Sequence, residues 1–346
     1  MEFINLGESG LKISKVIVGC MSYGDKKWAD WVLEDEEKVF GILKKCYDNG
    51  LRTFDTADVY SNGKSEELLG KFIKKYNIPR ERIVILTKLY FPVDETTPGF
   101  KLSNYKSFPE SDYINLQGLS RKHIFDAANA SVKRLGTYID VLQIHRLDKQ
   151  TPKAEIMKSL NDVVLQGLTR YIGASSMKAT EFAQLQFIAE KNGWFKFISM
   201  QNYYNLLYRE EEREMIPFCN ESEFGKVGLI PWSPNARGLL ARPVNIQSQF
   251  NRNPTSDKTF KALGLDVLSE NDKEIVTRVE KIAKKRGVSM SVVSSAWVLS
   301  KGCAPIVGIN SEERIDDTIE AVKLKLTEQE INYLEEPYVA KMPLAA

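Results

Sequence analysis

The sequence predicts an α/β chain folded as a (β/α)8 TIM barrel, with an N-terminal β-hairpin and long loops after strands three and seven. Three observations predict it. Short β-branched runs alternate with amphipathic segments along the chain, the pattern of helices packed on a parallel sheet. The runs number eight, and eight units over 346 residues suit a closed barrel better than an open doubly wound sheet. No internal repeat and no Gly/Ser linker divides the chain, so one domain over 1–346 is expected.

In order, residues 3–13 read as two short strands around Gly7-Glu8-Ser9-Gly10, a hairpin acting as plug or lid rather than as a core strand. The barrel strands are expected at 16–18, 53–55, 83–87, 139–144, 170–173, 197–201, 228–231 and 305–307. Helical patterns fall between them at 35–49, 64–76, 121–135, 152–166, 178–191, 209–219, 270–286 and 311–322, and a further one at 291–301 precedes the last strand. Pro152 opens one of these, Glu312 and Glu313 place acid in the first turn of another, and Gly50 closes the first. Two stretches, 91–120 and 233–269, exceed the usual loop length. Both lie on the strand-to-helix side, where barrel active sites form.

Composition excludes several function classes. Lys plus Arg is 48 and Asp plus Glu is 46, a formal charge of +2 that gives no reason to invoke nucleic acid or a membrane surface. The basic run 281–286 reads as a solvated helix face. Cys20, Cys46, Cys219 and Cys303 are far apart, which argues against a metal site and for reduced thiols in a cytoplasmic setting. The N-terminal residues lack the apolar core of a signal peptide, and no apolar run reaches the ~20 residues of a spanning helix. GxGxxG after the first strand, GxxxxGK[ST], HExxH and GxSxG are all missing, so open-sheet dinucleotide binding, P-loop chemistry, zinc proteolysis and nucleophile-elbow hydrolysis are not expected. His123 and His145 are the two histidines. His123, at a helix start, reads as structural.

Chemistry gathers at the predicted strand ends. The second strand runs into Asp55 and Tyr60, the third ends in Lys88 and the fourth in His145. Such ends converge on one mouth of a barrel. Reducing a carbonyl requires a hydride on carbon and a proton on oxygen. Tyr60 can give the proton, and a neighbouring Lys88 is expected to lower its pKa from ~10. Asp55 can hold the ammonium, and His145 can donate to the carbonyl oxygen and orient the substrate. A cofactor would bring the hydride.

The string Phe54-Asp55-Thr56-Ala57-Asp58-Val59-Tyr60 resembles the signature of the aldo-keto reductase superfamily. The segments 118–124, 131–137 and 140–146 resemble its aryl-alcohol dehydrogenase-like branch of fungi and bacteria, and the resemblance runs from Leu6-Gly7 to the region 311–320. It implies Asp55, Tyr60, Lys88 and His145 as the catalytic set and NADP(H) as cofactor. It further implies Ser175, Ser176 and Gln201 around the nicotinamide carboxamide, Ser176 standing where Asn is frequent, and Trp232 stacked on the ring. Ser233, Asn235, Arg237 and Leu239 would begin a loop over the pyrophosphate. At the helix start after the last strand, Asn310, Ser311 and Arg314 would meet the 2′-phosphate, and Asp317, beside Thr318, the adenine amine. Gly308 stands where some branches carry Lys, which bears on the preference for NADP over NAD.

Three readings follow. The first is an NADPH-dependent reductase of aldehydes and ketones, with Trp28, Trp31, Tyr90 and Phe91 around an aromatic substrate. The second is a cofactor-binding regulatory subunit resembling the potassium-channel β-subunits. The third is an isomerase with a Schiff base on Lys88.

Overall fold

The eight expected strands form one parallel sheet, preceded by the hairpin, in a computed structural model that describes residues 1–249 and 258–344. The hairpin pairs β1 (Phe3–Asn5) with β2 (Lys12–Ser14) in antiparallel register. The barrel strands are β3 (Ile17–Gly19), β4 (Thr53–Asp55), β5 (Val84–Leu89), β6 (Ile139–Ile144), β7 (Thr169–Ser175), β8 (Phe197–Gln201), β9 (Gly228–Leu229) and β10 (Ile306–Gly308). Neighbours pair in sequence order, and β10 returns to pair with β3. The circuit closes through Ala304 N–H to Leu229 O at 2.9 Å, Ile306 N–H to Pro231 O at 2.8 Å, and a parallel bridge between Trp232 and Ile306.

Every residue of β6 is buried, which is why this strand reads as a nearly continuous apolar run. Inside the barrel the period of two sorts the side chains by height. Leu86 and Val141 belong to an apolar lower layer with Leu6, Ile13, Ile17, Ile230, Ala304 and Ile306. Two residues further along the same strands stand Lys88 and Gln143, in a polar upper layer. The hairpin contributes Leu6 and Ile13 to the lower layer and so plugs the N-terminal end of the barrel. At its turn a Cβ on Gly7 would lie 2.5 Å from Lys226 O and 2.9 Å from Ile198 O, so only glycine fits there, at a φ of +62°. The plug and the long loops are therefore at opposite ends.

Helices follow the expected pattern with local caps. Asp35 accepts from Lys38 N–H ahead of Glu36–Asp48, and Ser120 from His123 N–H ahead of Arg121–Leu135. Pro152 caps Lys153–Leu165 from just outside instead of opening it. The helix expected over 209–219 is broken into a 3-10 turn, Glu210–Glu212, and a short helix, Met215–Glu221. Pro217 explains the break: in a continuous helix its ring would collide with the carbonyl of Arg213. A C-terminal helix, Glu328–Glu335, was not anticipated, although Thr327 and Glu330 form a reciprocal capping box that its sequence announces. Of the long loops, 91–120 carries a 3-10 turn, Tyr105–Ser107, and one helical turn, Glu110–Tyr113. In the segment 233–269, residues 250–257 lie outside the described residues. No helix among the described residues is long and apolar enough to cross a membrane.

Candidate active site

The upper layer of the barrel is a hydrogen-bonded polar ring. Lys88, wholly buried, donates to Asp55 Oδ1 at 2.5 Å, to the Thr56 carbonyl at 2.8 Å and to Tyr60 Oη at 3.3 Å, which engages all three ammonium protons. Asp55 Oδ2 accepts from Gln143 Nε2 at 3.1 Å and Gln201 Nε2 at 2.9 Å. Burial pulls the Lys88 ammonium toward neutrality, but the Asp55 charge and the hydrogen bonds to Asp55 and Tyr60 outweigh it and hold the pKa above the ordinary lysine value. Gly173 of β7 makes room for this ring. A Cβ there would lie 2.3 Å from Ser199 Oγ and 3.0 Å from Gln143 Cγ.

Tyr60 reaches the ring from the segment after β4. Thr56 N–H and Asp58 N–H donate to Leu86 O and Lys88 O at 2.8 and 3.1 Å, continuing the ladder beyond the strand. Ser61, Asn62 and Gly63 then take positive φ in succession, turning the chain into helix Lys64–Lys75. Beneath the turn, Glu66 is buried and pairs with Arg134 at 2.6 Å. Lys88 lowers the Tyr60 pKa as expected, through its charge and its hydrogen bond, but it does not set the net direction. Burial is the largest influence, and with Asp55 it outweighs Lys88, so the phenol lies above its ordinary value. His145 is buried, and burial together with Lys88 and Arg146 pushes its pKa well below the ordinary range, so the imidazole is neutral. Its ring meets that of Tyr60 edge-on at 5.9 Å and that of Phe91 at 5.1 Å.

Asp55, Tyr60 and His145 line one end of a cavity of about 1060 Å³, at the upper limit of the usual range for ligand pockets. Trp28, Trp31, Phe91 and Leu102 form an aromatic and apolar wall at that end. The cavity then passes Ser175, Gln201 and Trp232 and ends between Asn310, Arg314, Asp317 and Thr318. Ser175 Oγ donates to Gln201 O at 2.8 Å and lies 3.3 Å from Ser176 Oγ. Ser233, Asn235, Arg237 and Gly308 also line it. Ser233 and Arg237 hold φ of +56° and +57°, a costly conformation for residues with a Cβ and one that recurs at ligand clamps. Asn235 Oδ1 is buried and has no hydrogen-bond partner among the described residues. Asp317 accepts from Ser289 Oγ at 2.8 Å and from Ser291 Oγ.

The structure does not bring every expected residue to the cavity wall. Ser176, at φ +41°, lies beneath the Trp232 indole, whose N–H donates to it at 3.4 Å. Leu239 belongs to the apolar core, and Ser311 stands outside the lining as the helix N-cap. Tyr90 packs on the core while its neighbour Phe91 faces the cavity. Conversely, Gln143, Arg146 and Arg242 were not singled out. Arg242 shares the far end with Arg314, and burial followed by the Arg314 charge pushes it below its ordinary basicity. It supplies a cation where Gly308 supplies none. Arg242 and Arg314 at this end, with Trp232 lining the same cavity, could hold a nicotinamide dinucleotide. No cluster of metal-ligating side chains occurs among the described residues.

Comparison with known proteins identifies the family. The model of the Aldo/keto reductase family matches residues 15–338. A Saccharomyces cerevisiae protein provisionally named an aryl-alcohol dehydrogenase is 61% identical over 335 residues, 97% of this chain and 96% of that protein. Versiconal hemiacetal acetate reductase of Aspergillus parasiticus is 57% identical over 342 residues, covering 99% and 98%. A Schizosaccharomyces pombe protein, also provisionally named an aryl-alcohol dehydrogenase, is 58% identical over 338 residues, covering 96% and 94%. A family match over nearly the whole length, with relatives this similar from end to end, makes the chain a member of the aldo/keto reductase family.

Proposed function

We propose that this oxidoreductase reduces aldehydes and ketones, aryl aldehydes among them, to alcohols with NADPH, and that Tyr60 is the general acid. The observation that carries the reading is the single hydrogen bond that Tyr60 accepts from Lys88. Since Lys88 occupies a lone pair of the phenol, the phenol's own proton is free to point into the cavity. Burial keeps that phenol protonated, the state an acid needs before reaction. When the proton leaves, the Lys88 ammonium, held by Asp55 at 2.5 Å, faces the phenolate and stabilises it. Neutral His145 presents an N–H donor to the same carbonyl oxygen and fixes its position against Tyr60.

NADPH, when bound, supplies the hydride. Trp232 and Gln201 would hold its nicotinamide. With the Gln201 amide nitrogen engaged by Asp55 and Gln143, the side-chain oxygen remains as an acceptor for the carboxamide N–H. Ser175 would offer a second acceptor. Arg314, Arg242 and Asn310 would take the 2′-phosphate and Asp317 the adenine amine, while Ser233, Asn235 and Arg237 would cover the pyrophosphate. The four buried, free cysteines support a reducing, cytoplasmic setting.

The test is NADPH consumption, followed by absorbance, with a panel of aliphatic and aromatic aldehydes, for wild type beside Tyr60→Phe. The expected result is turnover by the wild type and a fall of roughly 10²–10⁴-fold in the variant, with NADPH affinity almost intact. Full activity in Tyr60→Phe would remove Tyr60 from the role. An inert wild type would remove the reductase reading.

A further inference from the structure

Arg146 stands at the substrate end of the cavity, with no carboxylate partner among the described residues. It follows His145 at the end of β6, lines the cavity and is half-buried. Its guanidinium donates one hydrogen bond, from Nη1 to the His145 carbonyl at 2.6 Å. Its carbon centre lies 5.9 Å from the Phe91 ring. Three other sheltered arginines are neutralised: Arg80 by Asp140, Arg134 by Glu66, and Arg209 by Glu212 and Glu335. The nearest acid in sequence, Asp148, is committed to Thr151 and to the backbone of Leu119 and Gln150. Burial lowers the basicity of Arg146, and Tyr60 and Tyr90 offset it only in part. A half-buried cation carried without a counter-charge is costly unless a ligand brings one. Arg242 and Arg314 occupy the opposite end of the cavity, so the phosphate assigned to them does not serve Arg146.

We propose that Arg146 is a specificity-determining residue that selects aryl carbonyl substrates bearing a carboxylate on the ring. This rests on the carbonyl-reductase reading. The carbonyl lies between Tyr60 and His145, the ring lies against Phe91 and Trp28, and the carboxylate meets the outward edge of the guanidinium. The reaction is unchanged. The carbonyl carbon takes a hydride from NADPH, which leaves as NADP⁺, and the oxygen takes the Tyr60 proton to give the alcohol.

The test compares 4-carboxybenzaldehyde with its methyl ester, as the ratio of their kcat/KM values, for wild type, Arg146→Met and Arg146→Lys. Wild type is expected to favour the carboxylate, and Arg146→Met to lower the ratio about 10–100-fold, the worth of a charge-assisted hydrogen bond, chiefly through KM for the acid. Arg146→Lys is expected to keep part of the preference, because charge survives while the two-pronged geometry is lost. A ratio near one in the wild type, or one unmoved by Arg146→Met, overturns the proposal while leaving the reductase reading in place. A second readout needs no turnover. Terephthalate, added with NADP⁺, should quench the fluorescence of the cavity tryptophans and bind more weakly to Arg146→Met. Equal affinities overturn the anion site. Arg146-dependent binding in a protein that reduces no aldehyde supports the anion site and overturns the reductase reading.

Discussion

Tyr60, Lys88 and Asp55 show how far single residues can be read before their surroundings are known. Their types and order along the chain were enough to expect an ammonium between a carboxylate and a phenol, and the 2.5 and 3.3 Å bonds have that arrangement. Lys88 does pull the Tyr60 pKa down, but burial outweighs it, and desolvation depends on what closes over a ring, which no local string contains. Gln143 was missed for a different reason. A glutamine within an apolar run carries no chemical signature, and only the barrel's curvature brings it to Asp55. Arg242 was hidden in a loop without periodicity. Its pairing with Arg314 leads to a prediction about cofactor choice. Arg314→Ala and Arg242→Ala should each weaken NADPH binding about 10–100-fold and NADH binding far less, measured by quenching of protein fluorescence. Equal losses for the two cofactors would remove these residues from the 2′-phosphate.

At the scale of elements, strand positions were legible because parallel strands buried on both faces are apolar throughout. Their exact ends were not, since pairing with neighbours decides them, as at β9, where Ile230 and Trp232 continue the ladder irregularly through Met200 O and Asn202 O. The split at Pro217 and the helix after Thr327 both had signals in the chain. What could not be read is why β7 carries glycine at its centre. Gly173 lies where the inner side chains of β6 and β8 meet, so the polar ring exists only because one strand gives up its side chain. Gly173→Ala should therefore overpack the ring, destabilising the fold by about 1–3 kcal/mol and displacing Gln143 from Asp55. A urea midpoint and turnover both within error of wild type would show that the ring tolerates the methyl.

For the whole molecule, eight strands and the side bearing the long loops were both readable, but barrel closure was inferred from the count and became a fact only through the bonds joining β9 to β10. Stability as a function of pH is likewise a property of the assembled molecule. His123 is 5% exposed, and burial pushes its pKa down to about 4 from an unfolded value of 6.5. Its folded pKa is depressed, so its contribution is fully present above pH 6.5 and is lost as the pH falls toward 4, where the unfolded chain takes up a proton that the folded chain refuses. The loss is on the order of 3 kcal/mol. His123→Gln should flatten the fall in unfolding free energy between pH 7 and pH 4.5 in urea titrations, and an unchanged slope would assign that fall to other groups. Closure also has a consequence in time. β3 finds its second neighbour in β10, about 290 residues later, and at the ~5–20 residues per second of translation its free edge stays open for roughly 15–60 s. Throughout synthesis the ribosome therefore holds an unfinished sheet with an adhesive margin on either side, and a nascent chain that stalls before residue 306 is a substrate for chaperones rather than a smaller version of the enzyme.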